Sequence, residues 1–208
     1  VYSAPEIAEL SAIAKDAGLG VHMDGARFAN AMAALNAGNE TVSPADLTWR
    51  AGVDVLSFGA TKNGALGAEA VILFRTDLAE EMSFRHKRAG QLASKMRYIS
   101  AQLAAYIEDG LWLRLADHAN RMCNQLAKGL GAIDGVRLDV FGGANELFVE
   151  LPRETVLALR EESFEFYDWP ETIAPGADRR STIRLVTRHD TSMAEVEGMI
   201  AAVERLAG

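Results

Sequence analysis

Three short runs hold side chains whose types suit chemistry better than packing. They are His22-Met23-Asp24-Gly25-Ala26-Arg27, Gly59-Ala60-Thr61-Lys62-Asn63-Gly64 and Ile183-Arg184-Leu185-Val186-Thr187. A lysine amine can form an imine with a carbonyl carbon, a carboxylate can hold a proton on a heteroaromatic nitrogen, and an arginine can clamp a carboxylate through two parallel hydrogen bonds. Taken singly, each residue also has an ordinary structural use. Asp24 before Gly25 suits a turn or helix cap, Lys62 a solvated surface, Arg27 a helix surface and Arg184 an exposed edge strand. His22 suits a core or supporting position, and the Arg-His-Lys-Arg run at 85–88 a solvated basic patch. Cys123 and Met122 fit a helix stripe. No spacing of His, Cys and carboxylates suits a metal, and no nucleotide-type phosphate loop is present.

The surrounding patterns say where these residues sit. Ile7, Ala8, Leu10, Ile13 and Ala14 recur at helical spacing behind Ser3 and Pro5, predicting a helix over residues 4–17 that ends at Gly18 and Gly20. Short apolar strands are predicted at 19–23, 53–58 and 68–74, with helices at 26–37 and 45–50 and a turn-rich stretch at 36–44. Almost wholly apolar strands alternating with helices indicate an α/β layer whose sheet is covered on both faces. Residues 92–130 carry an apolar stripe broken near Gly110, predicting long helices. Beyond Gly131, strands at 136–140, 147–151 and 183–186 interleave with helices at 154–162 and 193–206. The expected organisation is a large α/β portion over 1–128 and a small α+β domain over 129–208.

Asp24 and Lys62 both fall just past the predicted carboxyl end of a strand, the edge at which open α/β sheets bind ligands. An acidic residue and a lysine at neighbouring strand ends are the two groups that pyridoxal phosphate requires, one to keep the pyridine nitrogen protonated and one to hold the aldehyde as a Schiff base. Glycines around Lys62 permit close backbone approach to a bulky ring, and Thr61 can offer a hydroxyl to its phosphate.

The runs VHMDGARFANA (21–31), SFGATKNGALGAEAVILF (57–74) and IRLVTRHD (183–190), in this order and strand context, resemble the low-specificity L-threonine aldolases. These are fold-type-I pyridoxal-phosphate enzymes of the branch grouped with the β-eliminating lyases. The resemblance implies that Lys62 is the Schiff-base lysine, that Asp24 partners the pyridine nitrogen, and that Arg27 and Arg184 bind the substrate carboxylate. It also implies aldol cleavage of L-threonine, L-allo-threonine and related β-hydroxy-α-amino acids to glycine and an aldehyde, in a homo-oligomer, dimer or tetramer. The basic stretch 85–97 is either a solvated face or a surface that reaches a neighbouring subunit's cofactor phosphate. β-Elimination, transamination and racemisation share the same lysine and aspartate, and an inert module retaining the fold is a further alternative. The resemblance corresponds to roughly the C-terminal three-fifths of such an enzyme. The phosphate-binding glycine segment and ring-stacking histidine that family members carry upstream have no counterpart here, in keeping with an opening at Val1-Tyr2 that lacks an initiator Met.

Composition narrows the rest. The chain of 208 residues is 49% hydrophobic and 24% charged, with a mean hydropathy of +0.01, which excludes collagen-like and disordered classes. A formal charge of −8 and a pI near 5.1 argue against a nucleic-acid footprint. No run approaches the roughly 18–20 apolar residues of a membrane helix. The single Cys123 forms no internal disulfide, so a reducing, cytoplasmic compartment is expected.

Overall fold

The first helix begins as its sequence dictates. In the computed structural model, which describes residues 1–38, 41–141, 143–169 and 180–207, Ser3 and Glu6 form a capping box: the Glu6 N–H donates to Ser3 Oγ, and the Ser3 N–H donates to Glu6 Oε2 at 2.7 Å. Helix α1 (Ala4–Asp16) carries Pro5 in its first turn and buries only Ile7 and Ser11, leaving Leu10 and Ile13 exposed.

The chain divides into two compact units, Val1–Ala116 and Asp117–Gly208. The first holds a three-stranded sheet in the order β1 (His22–Gly25), β2 (Val55–Gly59), β3 (Glu69–Leu73). Strands β1 and β2 are parallel, in a register that pairs Asp24 with Ser57 and Gly25 with Phe58. Strand β3 runs antiparallel to β2 and pairs Glu69 with Gly59. Leu56 and Phe58 pack beneath the sheet with Phe28 and Met32 of α2 (Phe28–Leu35), and with Leu47, Val53 and Tyr106. The opposite face carries His22, Asp24 and Val71, all exposed. The expected two-sided cover is therefore not found among the described residues: β2 is half polar on that face at Ser57, and β3 is mostly exposed. Asp54 locks the entry to β2 by accepting a hydrogen bond from the Val21 N–H at 2.8 Å.

Two further sequence expectations shift. The predicted helix at 45–50 is a run of turns followed by a single 3-10 turn, Trp49–Ala51, because Pro44 starts it and Thr48 donates its hydroxyl back to the Pro44 carbonyl at 2.7 Å. An unexpected helix, α3 (Ala79–Arg88), is highly charged and buries none of its residues, so no apolar stripe announced it. The long helical section is α4 (Arg97–Ile107) and α5 (Leu111–Leu130), separated by a 3-10 turn in which Asp109 has φ 50°. The division between units falls inside α5, whose Cys123, Leu126, Ala127 and Leu130 pack into the second core. The turn-rich stretch at 36–44 includes residues 39 and 40, which lie outside the described residues.

The second unit builds a wholly antiparallel sheet in the order β4 (Arg137–Phe141), β5 (Glu146–Pro152), β7 (Arg180–Val186), β6 (Tyr167–Asp168). Burial alternates along β5 and β7, so Leu147, Val149, Leu151, Ile183 and Leu185 point into the core. There they meet α5, α6 (Arg153–Glu161) and α7 (Met193–Ala207) through Leu126, Leu130, Val156, Leu159, Val196 and Val203. The predicted helices and three strands are present; the two-residue strand β6 is an addition. Among the described residues no helix is long and apolar enough to cross a membrane.

Candidate active site

Parallel pairing of β1 and β2 brings their carboxyl ends to one edge, and the catalytic candidates follow it. Asp24 is the third residue of β1 rather than beyond its end, and is exposed. Its Oδ1 accepts the Ala26 N–H at 2.9 Å, which fixes the carboxylate at the mouth of the turn. Lys62 sits at the middle of a 3-10 turn, Thr61–Asn63, that directly follows β2 and Ala60; its side chain is exposed. Arg27 is the residue preceding α2 and is half-buried. The edge thus carries a carboxylate, an amine and a guanidinium from two adjacent strand ends. Arg184 belongs to the second unit, on the outward face of β7.

Glycine makes this edge tight. A Cβ on Gly59 would stand 2.8 Å from Ala26 Cα and 2.9 Å from the Ala26 carbonyl oxygen, and one on Gly25 only 2.6 Å from the Ser57 carbonyl oxygen. The turn that carries Asp24 therefore rests on the strand that leads to Lys62, backbone against backbone. For Gly59, one of the glycines around Lys62, the expected use was approach to a ring; the contact it serves within the chain is this one. Gly64, at φ 114°, closes the turn behind Lys62.

Three groups missed in the sequence hold that turn. Asn63, adjacent to Lys62 and buried, donates through Nδ2 to Tyr106 Oη at 2.6 Å and to the Trp112 carbonyl at 2.9 Å. Burial pushes the Tyr106 phenol above its usual value, partly offset by that bond. Gln102 Oε1 accepts the N–H groups of Leu66 and Gly67 at 3.0 and 3.2 Å. Phe28, Phe58 and Trp112 interlock beneath, with Phe28 stacked on Trp112 at 6.3 Å and Phe58 edge-on to it at 5.8 Å. Thr61 is committed locally as well: its Oγ1 accepts the Ala68 N–H at 3.1 Å, and its own N–H reaches Glu69 Oε1. On the exposed face His22 Nε2 lies 2.8 Å from Ser57 Oγ, the neighbour of Asp24 across the pair. The partners of Asn63, Gln102 and His22 were not readable locally, since they lie tens of residues away in the chain, whereas those of Thr61 are seven and eight residues on.

Residues 1–150 match the model of the beta-eliminating lyases. The chain belongs to the beta-eliminating lyase family. Within it, the chain is similar to the low specificity L-threonine aldolase of Pseudomonas aeruginosa, 47% identical over 167 residues that cover 80% of this chain and 47% of the relative. Its fold matches a Leishmania major threonine aldolase with a TM-score of 0.87 and 29% identity, covering 100% of this chain and 57% of that one. Serine palmitoyltransferase of Sphingomonas wittichii shares the fold alone, with a TM-score of 0.61 at 13% identity over 96% of this chain and 50% of that one. The chain spans about half the length of the curated relatives it matches. The α/β architecture is that of the fold-type-I pyridoxal-phosphate enzymes, as the motifs led us to expect. The β1–β2 edge presents an exposed amine on Lys62 and an exposed carboxylate on Asp24 anchored through one oxygen, groups of the two types that pyridoxal phosphate takes. No group of three or more His, Cys, Asp and Glu able to hold a metal occurs among the described residues.

Proposed function

We propose that the chain is the catalytic part of a pyridoxal-phosphate-dependent aldolase that cleaves L-threonine, L-allo-threonine and related β-hydroxy-α-amino acids to glycine and an aldehyde. The observation that carries this is the placement of Lys62 and Asp24 on one edge of a parallel strand pair, in a family member similar at 47% identity to a low specificity L-threonine aldolase. Lys62 would hold the cofactor through its amine, and Asp24 would keep the pyridine nitrogen protonated. Thr61 would turn its hydroxyl proton from the Ala68 carbonyl, 3.5 Å away, to the phosphate, while its oxygen keeps the Ala68 N–H. When bound, the cofactor supplies an electron sink for the pair left by the breaking Cα–Cβ bond.

The chain's own residues select the reaction. Arg27 and Arg184 are proposed to take the substrate carboxylate, since guanidinium binds it bidentately and so fixes the rotation about the Cα–N bond. That rotation decides which bond at Cα is weakened. Rigid support through Asn63, Gly59 and Gly25 keeps Lys62 and Asp24 in fixed relation. The protein is proposed to act in the cytoplasm as a homo-oligomer, with the basic stretch 85–97, which begins in the last turn of α3, as a candidate subunit surface.

The test is product identity with the intact protein, pyridoxal phosphate and L-threonine. Acetaldehyde with equimolar glycine is expected. Ammonia with a keto acid would replace the aldolase reading by β-elimination.

A further inference from the structure

The outward face of the second unit's sheet places an aromatic frame around Arg184. In the register of β5, β7 and β6, Phe148, Arg184 and Tyr167 are directly opposite one another in a row across the three strands. The Arg184 guanidinium carbon lies 5.0 Å from the Tyr167 ring centroid and 5.8 Å from that of Trp169. Trp169 is itself held against Phe148, their centroids 5.2 Å apart, and its main-chain N–H donates to the Thr182 carbonyl at 2.9 Å. Glu146 Oε1 faces Arg184 Nη1 at 3.9 Å, beyond hydrogen-bond reach. The guanidinium is therefore oriented chiefly by ring faces, which attract the cation without consuming its N–H donors. The other arginine of β7 on this face is closed: Arg180 bonds Glu150. Arg184 differs in having its planar faces covered while its Nε, buried, makes no hydrogen bond among the described residues.

We propose that Tyr167 and Trp169 are positioning residues that hold the Arg184 guanidinium in the plane from which its donors receive a carboxylate. The proposal rests on the reading of Arg184 as a substrate-carboxylate partner. An arginine on a flexible stem loses rotamer freedom when it captures an anion, and a frame that fixes the plane beforehand removes part of that cost. The rings act through Arg184, so they govern substrate affinity and leave the bond-breaking step alone.

The experiment uses the intact, cofactor-loaded protein and compares Tyr167→Ala, Trp169→Ala, the corresponding Phe variants, Arg184→Ala and the double variant Trp169→Ala/Arg184→Ala. The probes are L-threonine and threoninol, which lacks the carboxylate. Expected are a rise in KM for threonine of about fivefold for each Ala variant, kcat within about twofold, and substantial recovery in the Phe variants. Inhibition by threoninol should be unaltered, and Trp169→Ala should add nothing once Arg184 is gone. If Arg184→Ala raises KM while the aromatic truncations do not, the positioning role is overturned and the carboxylate reading stands. An unchanged KM in Arg184→Ala overturns that reading and the proposal with it. Equal loss of kcat and of threoninol binding, not rescued by Phe, would show a general packing role and overturn the proposal alone.

Discussion

Replacing Asn63 by Asp tests how the lysine turn is held, because the two side chains have nearly the same size and no cavity is made. Asn63 is 3% exposed and spends both of its Nδ2 protons, on Tyr106 Oη and on the Trp112 carbonyl. A carboxylate accepts only. The Tyr106 hydroxyl can reverse and donate to it, so that bond survives, but the Trp112 carbonyl loses its donor and faces an acceptor. A lost bond of about 1 kcal/mol and the penalty of roughly 1–3 kcal/mol for leaving a buried group unsatisfied sum to about 3 kcal/mol. For a unit of this size that corresponds to a fall in Tm of roughly 10 °C. Denaturant unfolding followed by tryptophan fluorescence measures the first quantity and scanning calorimetry the second. Because Asn63 adjoins Lys62, the efficiency with which borohydride fixes pyridoxal phosphate to the lysine should fall in the folded variant as well. Stability within about 0.5 kcal/mol of wild type, with unchanged labelling, would refute the claim that this buried amide organises the turn.

Two glycines of the same motif should behave oppositely. Gly59→Ala drives a methyl group into the backbone of Ala26 and should destabilise by about 1–3 kcal/mol, whereas Gly67→Ala meets nothing within 4 Å and should be neutral or slightly stabilising, as equilibrium unfolding of the pair will tell. Cys123, fully buried, has its thiol pushed up to about 12 by burial. Its contribution to stability is fully present below the unfolded thiol value near ~8.5 and is lost as pH rises toward the folded value. The stability difference between wild type and Cys123→Ala should accordingly shrink above about pH 9, and native protein at pH 8 should resist a thiol reagent that labels it once unfolded; rapid native labelling would contradict this.

What the sequence disclosed followed from locality. Asp24 and Lys62 stood out because each adjoins an apolar strand, and the parallel pairing of those strands put both at one edge. Helix α1 was legible in Ser3, Pro5 and Glu6, whose bonds reach only three residues. The support of the site was not legible, since Asn63 bonds residues 43 and 49 positions onward. Strand β6 exists only by pairing with β7, two residues being too few for a period. Helix α3 has charge where a stripe would show, so its basic end was visible and its helicity was not. The change of core along α5 was not legible because its apolar stripe runs through without interruption, while its residues pass from Trp112 and Leu115 in the first core to Cys123 and Leu126 in the second.

The central claim is that Lys62 is the cofactor lysine, and one measurement addresses it directly. The intact protein is incubated with pyridoxal phosphate, reduced with borohydride, digested and mapped by mass spectrometry, alongside Lys62→Ala. The account predicts a single dominant phosphopyridoxyl adduct on the peptide containing Lys62, absent from the variant. An adduct of equal yield in Lys62→Ala, or one carried by another lysine such as Lys15 or Lys128, would contradict it.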